Sequence, residues 1–190
     1  MGTDSPTNEP RTRSHRIETP RTTLILLPAE FHRAALAGET DLAEKIVGAS
    51  LPGGWPDEDD RFMLDMRLKD LSDHPEWAHW WVRAIVERSS SKMVGHVGFH
   101  GPPDNDGLVE VGYTIFEQHR RKGFAEEAVR ALLAWALADE DVVGFRASVG
   151  PWNEPSLKMV EKLGFVQVGV QWDERDGQEL VFELRPLPEQ

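Results

Sequence analysis

The order of hydrophobic and polar positions divides the chain into segments with strand-like and helix-like periods. Residues 22–28, "TTLILLP", form a short apolar and partly β-branched run ended by proline, which is typical of a buried strand. The segments "AEFHRAALAG" and "ETDLAEKIVG" each close on a glycine, as helices commonly do, and residues 57–71 carry apolar positions at helical spacing. The first part of the chain is therefore predicted to be one strand followed by helices.

Strand-like runs dominate the middle of the chain. "WAHWWVRAIVE" and "KMVGHVGFHG" are separated by "RSSS", a combination that predicts a hairpin. "LVEVGYTIF" follows after the turn-rich segment "GPPDNDG". Three consecutive antiparallel strands are the expected result.

The second half alternates helices with strands. Residues 124–138 place apolar side chains at a period near 3.6, which predicts a helix with one broad buried face. The pattern then predicts a strand at "VVGFRASV", a helix at "NEPSLKMVEKLG", and a final pair of strands at "FVQVGVQW" and "ELVFELRP".

Length and composition limit the domain organisation. Residues 1–20 mix Pro, Thr, Arg and Glu without apolar periodicity, so they are predicted to be a flexible tail. The chain has 190 residues, a length that suits one domain, which is predicted to occupy residues 21–187.

Charge and cysteine content exclude several function classes. The formal net charge is -12, which disfavours binding to nucleic acid or to anionic membranes. The absence of cysteine excludes disulfides, thiolate metal sites and a cysteine nucleophile. The first 20 residues lack the apolar core of a secretory signal, and no long apolar run follows, so a cytoplasmic protein is expected.

One short basic segment stands out in this acidic chain. "HRRKGFAEEAVRALLAWAL", residues 119–137, places two arginines and a lysine before a glycine and then begins a helix. The free N–H groups and the dipole of a helix N-terminus favour an anion, and glycine permits its close approach, so a pyrophosphate fits. The P-loop and dinucleotide fingerprints are both absent.

Two motifs carry a family resemblance. Arg120-x-x-Gly123-x-Ala125, directly after a predicted strand, resembles the [Q/R]-x-x-G-x-[G/A] coenzyme A signature of the GNAT superfamily of N-acetyltransferases. Further along, "NEPSLKMVEKLGF" resembles the second conserved segment of that superfamily. The order of elements also agrees over residues 20–186, and the chain most resembles the branch of ribosomal-protein N-terminal alanine and serine acetyltransferases.

The resemblance implies a fold and an activity. The fold would be mixed α/β, with a mostly antiparallel twisted sheet of about six or seven strands, splayed between the two central strands and covered by helices on both faces. The activity would be transfer of an acetyl group from acetyl-CoA to a primary amine, either a protein N-terminus or a small molecule. Without cysteine, the amine would attack directly in a ternary complex.

The same resemblance assigns cofactor contacts. Backbone N–H groups of the basic turn would hold the pyrophosphate, the strand before it would pair with the pantetheine arm, and the second segment would contact pantetheine and sulfur. Without a ligand, the cations would merely cover a strand end and Asn153 would merely cap a helix. The implied residues are Tyr113, Thr114, Ile115, Arg120, Arg121, Lys122, Gly123, Phe124, Ala125, Asn153 and Ser156.

The chemistry demands a base more than an acid. A protonated amine must lose a proton before it attacks, whereas a thiolate with a pKa near 8.5 leaves with little help. Glu110 is the predicted base because it lies on the strand that bears the acetyl group and shares a face with Thr114. The alternatives on neighbouring strands are His96, His100 and Ser148.

The general acid is less well defined. Many members of the family carry a tyrosine where this chain has Val160, and Tyr113 is the only tyrosine in the sequence. The acid is therefore Ser156, a water molecule, or absent. This departure keeps a second hypothesis open, a non-catalytic acyl-CoA-binding sensor or interaction module.

Three further features leave alternatives open. His96 and His100 would lie about 13 Å apart along a strand, too far to share one metal ion, so no metal is predicted. The tryptophan-rich stretch at residues 77–81 would line the acceptor site, pack in the core or support a homodimer. "LPGGWPDEDD" would be either a mobile acidic lid over a cationic acceptor or a solvated loop.

Overall fold

The computed structural model describes residues 15–185 as one eight-stranded sheet flanked by helices. The strands are β1 (Arg16–Glu18), β2 (Thr22–Leu26), β3 (Arg83–Glu87), β4 (Lys92–Phe99), β5 (Leu108–Ile115), β6 (Gly144–Val149), β7 (Val166–Asp173) and β8 (Gly177–Leu184). The helices are α1 (Ala29–Ala37), α2 (Thr40–Val47), α3 (Glu58–Asp73), α4 (Phe124–Ala136) and α5 (Glu154–Lys162). Two 3-10 segments, Pro75–Trp80 and Glu117–His119, precede β3 and α4.

The sheet is antiparallel except at its centre. Its strand order is β1-β2-β3-β4-β5-β6-β8-β7, and within residues 15–185 only β5 and β6 are parallel neighbouring strands. The ladder between these two strands joins Leu108, Val109 and Glu110 to the start of β6 and then stops. The predicted mixed fold, with a sheet splayed between its central strands, is confirmed.

The eighth strand comes from the predicted tail. β1 pairs antiparallel with β2, and the backbone N–H of the buried Thr19 donates to the Thr22 carbonyl at 2.9 Å. Residues 15–20 therefore belong to the fold and are not part of a flexible tail. The sequence pattern did not predict β1, because a strand of 3 residues is too short to produce a recognisable period. Residues 1–14 and 186–190 lie outside the described residues. The tail predicted over residues 1–14 and the domain end predicted at residue 187 therefore stay predictions.

Helices cover both faces of the sheet. Along β3, Ala84 and Val86 pack in one core cluster with α1, α2 and α3, while Ile85 packs in the other cluster with α4. This alternation follows from the two-residue period of a strand. The predicted apolar face of α4 is buried through Ala128, Val129, Leu132, Leu133, Trp135 and Ala136.

The tryptophan-rich stretch is not a strand over its full length. Pro75 begins a 3-10 segment, and β3 starts only at Arg83. Trp80 and Trp81 are each 3% exposed, and Trp80 packs edge-on against Trp135. These two side chains therefore belong to the core rather than to an acceptor wall, because their aromatic surface is removed from water.

No helix in residues 15–185 combines the length and the apolar character that crossing a bilayer requires.

Candidate active site

The basic turn has the backbone geometry of an anion cradle. Arg121 and Gly123 adopt positive φ angles of 59° and 80°, and α4 starts directly afterwards. Within residues 15–185, no hydrogen bond uses the backbone N–H groups of residues 121–125. These donors and the helix dipole together favour an anion such as a pyrophosphate.

Arg120 and Lys122 are partly held by the protein itself. The Arg120 Nε donates to the Ile115 carbonyl at 3.0 Å, which fixes the start of the turn to the end of β5. The Lys122 Nζ donates to the Gln118 carbonyl at 3.2 Å. The remaining N–H groups of both side chains can still meet a phosphate charge.

Arg21, which sequence analysis missed, clamps this turn from the β1–β2 connection. Its Nη1 donates to the Lys122 carbonyl at 2.8 Å, and its Nε lies 2.6 Å from the Glu127 Oε2. Its guanidinium also sits 5.0 Å from the centre of the Phe124 ring. Burial would raise the pKa of Glu127, but hydrogen bonds from Thr19 and Arg21 outweigh it and hold that pKa below the usual range.

An opening separates β5 from β6 beyond Glu110. Residues 111–115 pair with β4 on one side, but the β6 ladder no longer continues on the other. Tyr113, Thr114 and Ile115, the residues for which the family resemblance implies pantetheine contacts, lie in this stretch. A free strand edge can bind an extended ligand as an added strand.

Tyr113 and Ser156 meet across this opening. The Tyr113 hydroxyl donates to the Ser156 Oγ at 2.8 Å. Asn153 caps α5 as predicted, since its Oδ1 accepts from the Ser156 N–H at 3.3 Å. Burial raises the pKa of Tyr113, and the bond to Ser156 opposes this only in part. Val160 is 2% exposed and belongs to the core, so it offers the site no polar group.

The predicted base has a histidine beside it. The Glu110 Oε1 lies 3.6 Å from the His100 Nδ1, on the sheet face that α3 covers. Solvent reaches 53% of the His100 side chain, while protein atoms surround the rest and lower its pKa by burial. Glu110 opposes this decrease, and Arg67 adds to it. The side chains of His100 and Glu110 thus stand together at the acyl end of the opening.

The other alternative bases are engaged elsewhere. The His96 Nε2 lies 3.1 Å from the Asp60 Oδ1, and both side chains are buried beneath the start of α3. The Ser148 Oγ accepts from the Gln171 Nε2 at 3.0 Å. Within residues 15–185 no group of three or more acidic, histidine or cysteine side chains is arranged to hold a metal ion.

The segment considered either as an acidic lid or as a solvated loop is a connection that leads into the first turn of α3. Its Asp57 caps α3 by accepting from the Asp60 N–H at 2.9 Å, so the acidic residues that follow form a helical turn. Trp55 is 9% exposed and packs against Phe31. An ion pair between Asp59 and Arg175 joins α3 to the β7–β8 turn. The contacts of Trp55 and Asp57 therefore attach this connection to the core and to α3.

Comparisons with known proteins agree with this geometry. Residues 23–166 match the acetyltransferase (GNAT) domain family. The uncharacterised N-acetyltransferase YjdG of Bacillus subtilis is 33% identical over 126 residues, which cover 65% of this chain and 74% of YjdG.

Solved structures show the same fold. The ribosomal-protein-S5-alanine acetyltransferase of Vibrio fischeri superposes with a TM-score of 0.62 at 16% identity, over 90% of this chain and 97% of that one. RimJ of Mycobacterium smegmatis, in complex with CoA-disulfide, gives a TM-score of 0.64 at 16% identity, over 94% and 91% of the two chains. The family match and the named relatives together identify the chain as an acyltransferase of the GNAT acetyltransferase family.

Proposed function

We propose that this protein transfers the acetyl group of acetyl-CoA to a primary amine by direct attack in a ternary complex. The observation that carries the proposal is the opening along β5, which runs from Glu110 past a free strand edge to the basic turn. The strand from Glu110 to Ile115 spans about 17 Å, a length comparable with an extended pantetheine arm.

The proposed cofactor contacts follow this path. The N–H groups of residues 121–125 bind the pyrophosphate, with Arg120, Arg121 and Lys122 supplying positive charge. The backbone of residues 113–115 pairs with the pantetheine arm. The Oδ1 of Asn153 is used within α5, so its carboxamide N–H groups are the ones offered to pantetheine.

In the proposed reaction the amine first loses a proton to Glu110, directly or through a water molecule beside His100. The nitrogen lone pair then attacks the thioester carbonyl and a C–N bond forms. The nitrogen gives its second proton to a water molecule, and the C–S bond breaks with its electron pair on sulfur. The Ser156 hydroxyl donates a hydrogen bond to the departing thiolate. The proton taken by Glu110 passes to solvent, and the enzyme is ready again.

The acceptor is proposed to be cationic before it reacts. Glu110, Glu179 and Asp173 all act electrostatically on His100, so negative charge near the proposed base favours a cationic acceptor. A protein N-terminus and a small-molecule amine both satisfy this requirement. The structural similarity to a ribosomal-protein-S5-alanine acetyltransferase favours a protein N-terminus. Nucleic acid is not a proposed partner, because the net charge of -12 opposes it.

A homodimer is part of the proposal. Strand β7 lies at the edge of the sheet and exposes Val168 (56%), Val170 (59%) and Trp172 (77%). An exposed apolar edge is usually covered in solution. Sedimentation equilibrium of the wild type and of a Val170→Lys variant tests this, and a monomeric wild type would contradict it.

The first experiment separates cofactor binding from catalysis. Acetyl-CoA and free CoA should each raise the thermal midpoint, since a ligand at 100 times its Kd stabilises the fold by about 2.7 kcal/mol, whereas ATP should have little effect. Glu110→Gln should lower turnover at least about tenfold with unchanged CoA affinity. The exposed Glu140→Gln is the matched control.

Each outcome is informative. Equal stabilisation by ATP would refute a specific acyl-CoA site, and normal turnover in Glu110→Gln would refute the assigned base. Cofactor binding without turnover toward peptide N-termini, polyamines and amino acids would support the non-catalytic module instead. The named N-acetyltransferase relatives favour the enzyme.

A further inference from the structure

We infer that Tyr113 is a positioning residue for the leaving group: it holds the Ser156 hydroxyl so that the hydroxyl hydrogen points at the departing sulfur of CoA. The inference rests on the proposed acetyl transfer and extends it, because it assigns a catalytic task to a side chain on β5.

The hydrogen bond from Tyr113 limits the directions in which the Ser156 hydroxyl can donate. Tyr113 donates to the Ser156 Oγ at 2.8 Å, so one lone pair of that oxygen is occupied. A serine hydroxyl that accepts from one side has its own hydrogen left to donate elsewhere. The Ser156 N–H is held in turn by the Asn153 Oδ1. Backbone and side chain of Ser156 are therefore both tethered, which reduces the entropy lost when the hydroxyl meets a ligand.

The location of the bond links it to the reaction. Tyr113 comes from β5, whereas Ser156 lies in α5, the element that follows β6. The bond therefore crosses the opening at which the two strands separate, along the proposed path of the pantetheine arm. Tyr113 is the only tyrosine of the chain, so no second phenol can take over this role.

The pKa values of the CoA thiol and of the Tyr113 phenol decide whether Ser156 passes on a proton or only donates a hydrogen bond. A cysteine-like thiol has a pKa near 8.5, whereas a free phenol has one near 10, and burial raises the pKa of Tyr113 further. Complete proton transfer from Tyr113 to the thiolate through Ser156 is thus unfavourable by at least about 30-fold. The pair instead stabilises negative charge on sulfur by hydrogen bonding while the C–S bond breaks, and the thiolate takes its proton from water afterwards.

The decisive experiment is a double-mutant cycle with Tyr113→Phe and Ser156→Ala. Tyr113→Phe keeps the ring and removes only the hydroxyl, so kcat should fall about 5- to 10-fold, with KM for acetyl-CoA changed less than about twofold. In Ser156→Ala, kcat should fall at least as far. The double variant should match Ser156→Ala alone, because Tyr113 acts through Ser156. Ser72→Ala, an exposed serine in α3, is the control.

A spectroscopic titration tests the bond without turnover. Near-ultraviolet absorbance follows tyrosinate formation, and the signal belongs to one residue here. Because the Tyr113 hydroxyl is bonded to the Ser156 Oγ, Ser156→Ala should shift the pH at which the Tyr113 phenol titrates. An unchanged titration would show that the bond is absent in solution.

The kinetic outcomes separate the two proposals. An inactive wild type would refute the proposed acetyl transfer rather than the role of Tyr113. An active wild type with unchanged kcat in Tyr113→Phe, or single effects that multiply in the double variant, would overturn the inference. A rise in KM with constant kcat would also overturn it, since it would mark a binding contact.

Discussion

Replacing Gly123 by alanine tests whether the left-handed turn is the binding element. Gly123 has a φ of 80° at the start of α4, a conformation that costs a non-glycine residue about 1–2 kcal/mol. An added Cβ would lie 3.3 Å from the Arg21 Nη2. That atom is the far end of a flexible side chain, so this contact adds little, and the backbone cost dominates.

The expected change in CoA affinity depends on whether the CoA-bound or the free protein carries the conformational free-energy cost of Gly123→Ala. In the CoA-bound protein the turn must keep its geometry, so the bound form should lose the full cost of about 1–2 kcal/mol relative to the unfolded chain. The free protein can relax the exposed turn and lose less. Because about 1.4 kcal/mol corresponds to a factor of ten, the Kd for CoA should rise by up to about 5- to 30-fold.

The assay compares urea unfolding with and without saturating CoA, together with calorimetric titration. Gly38→Ala is the matched control, since Gly38 ends α1 at a φ of 76° and a Cβ added there would have no other atom within 4 Å. It should lose similar stability in both conditions and keep its CoA affinity. If CoA-saturated Gly123→Ala were as stable as the wild type, the bound turn would not require this conformation, and the cradle would be wrong.

Two further predictions concern the buried ionisable side chains of His32 and Arg83. Burial lowers the pKa of His32, whose Nδ1 bonds to the Pro28 carbonyl at 2.9 Å, so the folded state resists protonation and the free energy of unfolding should fall as pH drops below about 6.5. His32→Asn should flatten this pH dependence in urea unfolding, and an unchanged slope would assign it to other groups. Arg83 is fully buried, with its Nε and Nη1 unpaired among the described residues and a pKa lowered to about 10 by burial. Arg83→Met should therefore keep the stability within about 1 kcal/mol, whereas Arg83→Ala should lose about 2–5 kcal/mol; a larger loss in Arg83→Met would show that the charge stabilises the fold.

The predictable parts of the fold are those with a local physical cause. The apolar period of residues 124–138 was sufficient to predict α4 and its buried face, and Gly38 and Gly48 do end helices in left-handed conformations. Asn153 caps α5 as its residue type indicates. Each of these features depends on residues within about one or two helical turns, so a sequence pattern contains the necessary information.

The errors arose where tertiary packing outweighed a local pattern. The aromatic run before β3 has the composition of a strand. Trp80 instead ends a 3-10 segment and Trp81 directly follows it, and both side chains are buried against neighbouring elements. Strand β1 was missed because its 3 residues are stabilised mainly by pairing with β2. Likewise, His96 is suitable as a base by residue type, but it is buried against Asp60.

The sequence alone specifies most of the helices and strands, the negative net charge and the two motifs that indicate acyl-CoA binding. Which distant side chains meet is settled by tertiary packing: Tyr113 contacts Ser156 across 43 positions, and Arg21 contacts Glu127 across 106. Such pairs depend on strand order and on the point at which β5 and β6 separate. A local sequence period does not determine the strand order, because that order results from burying both faces of one sheet at the same time.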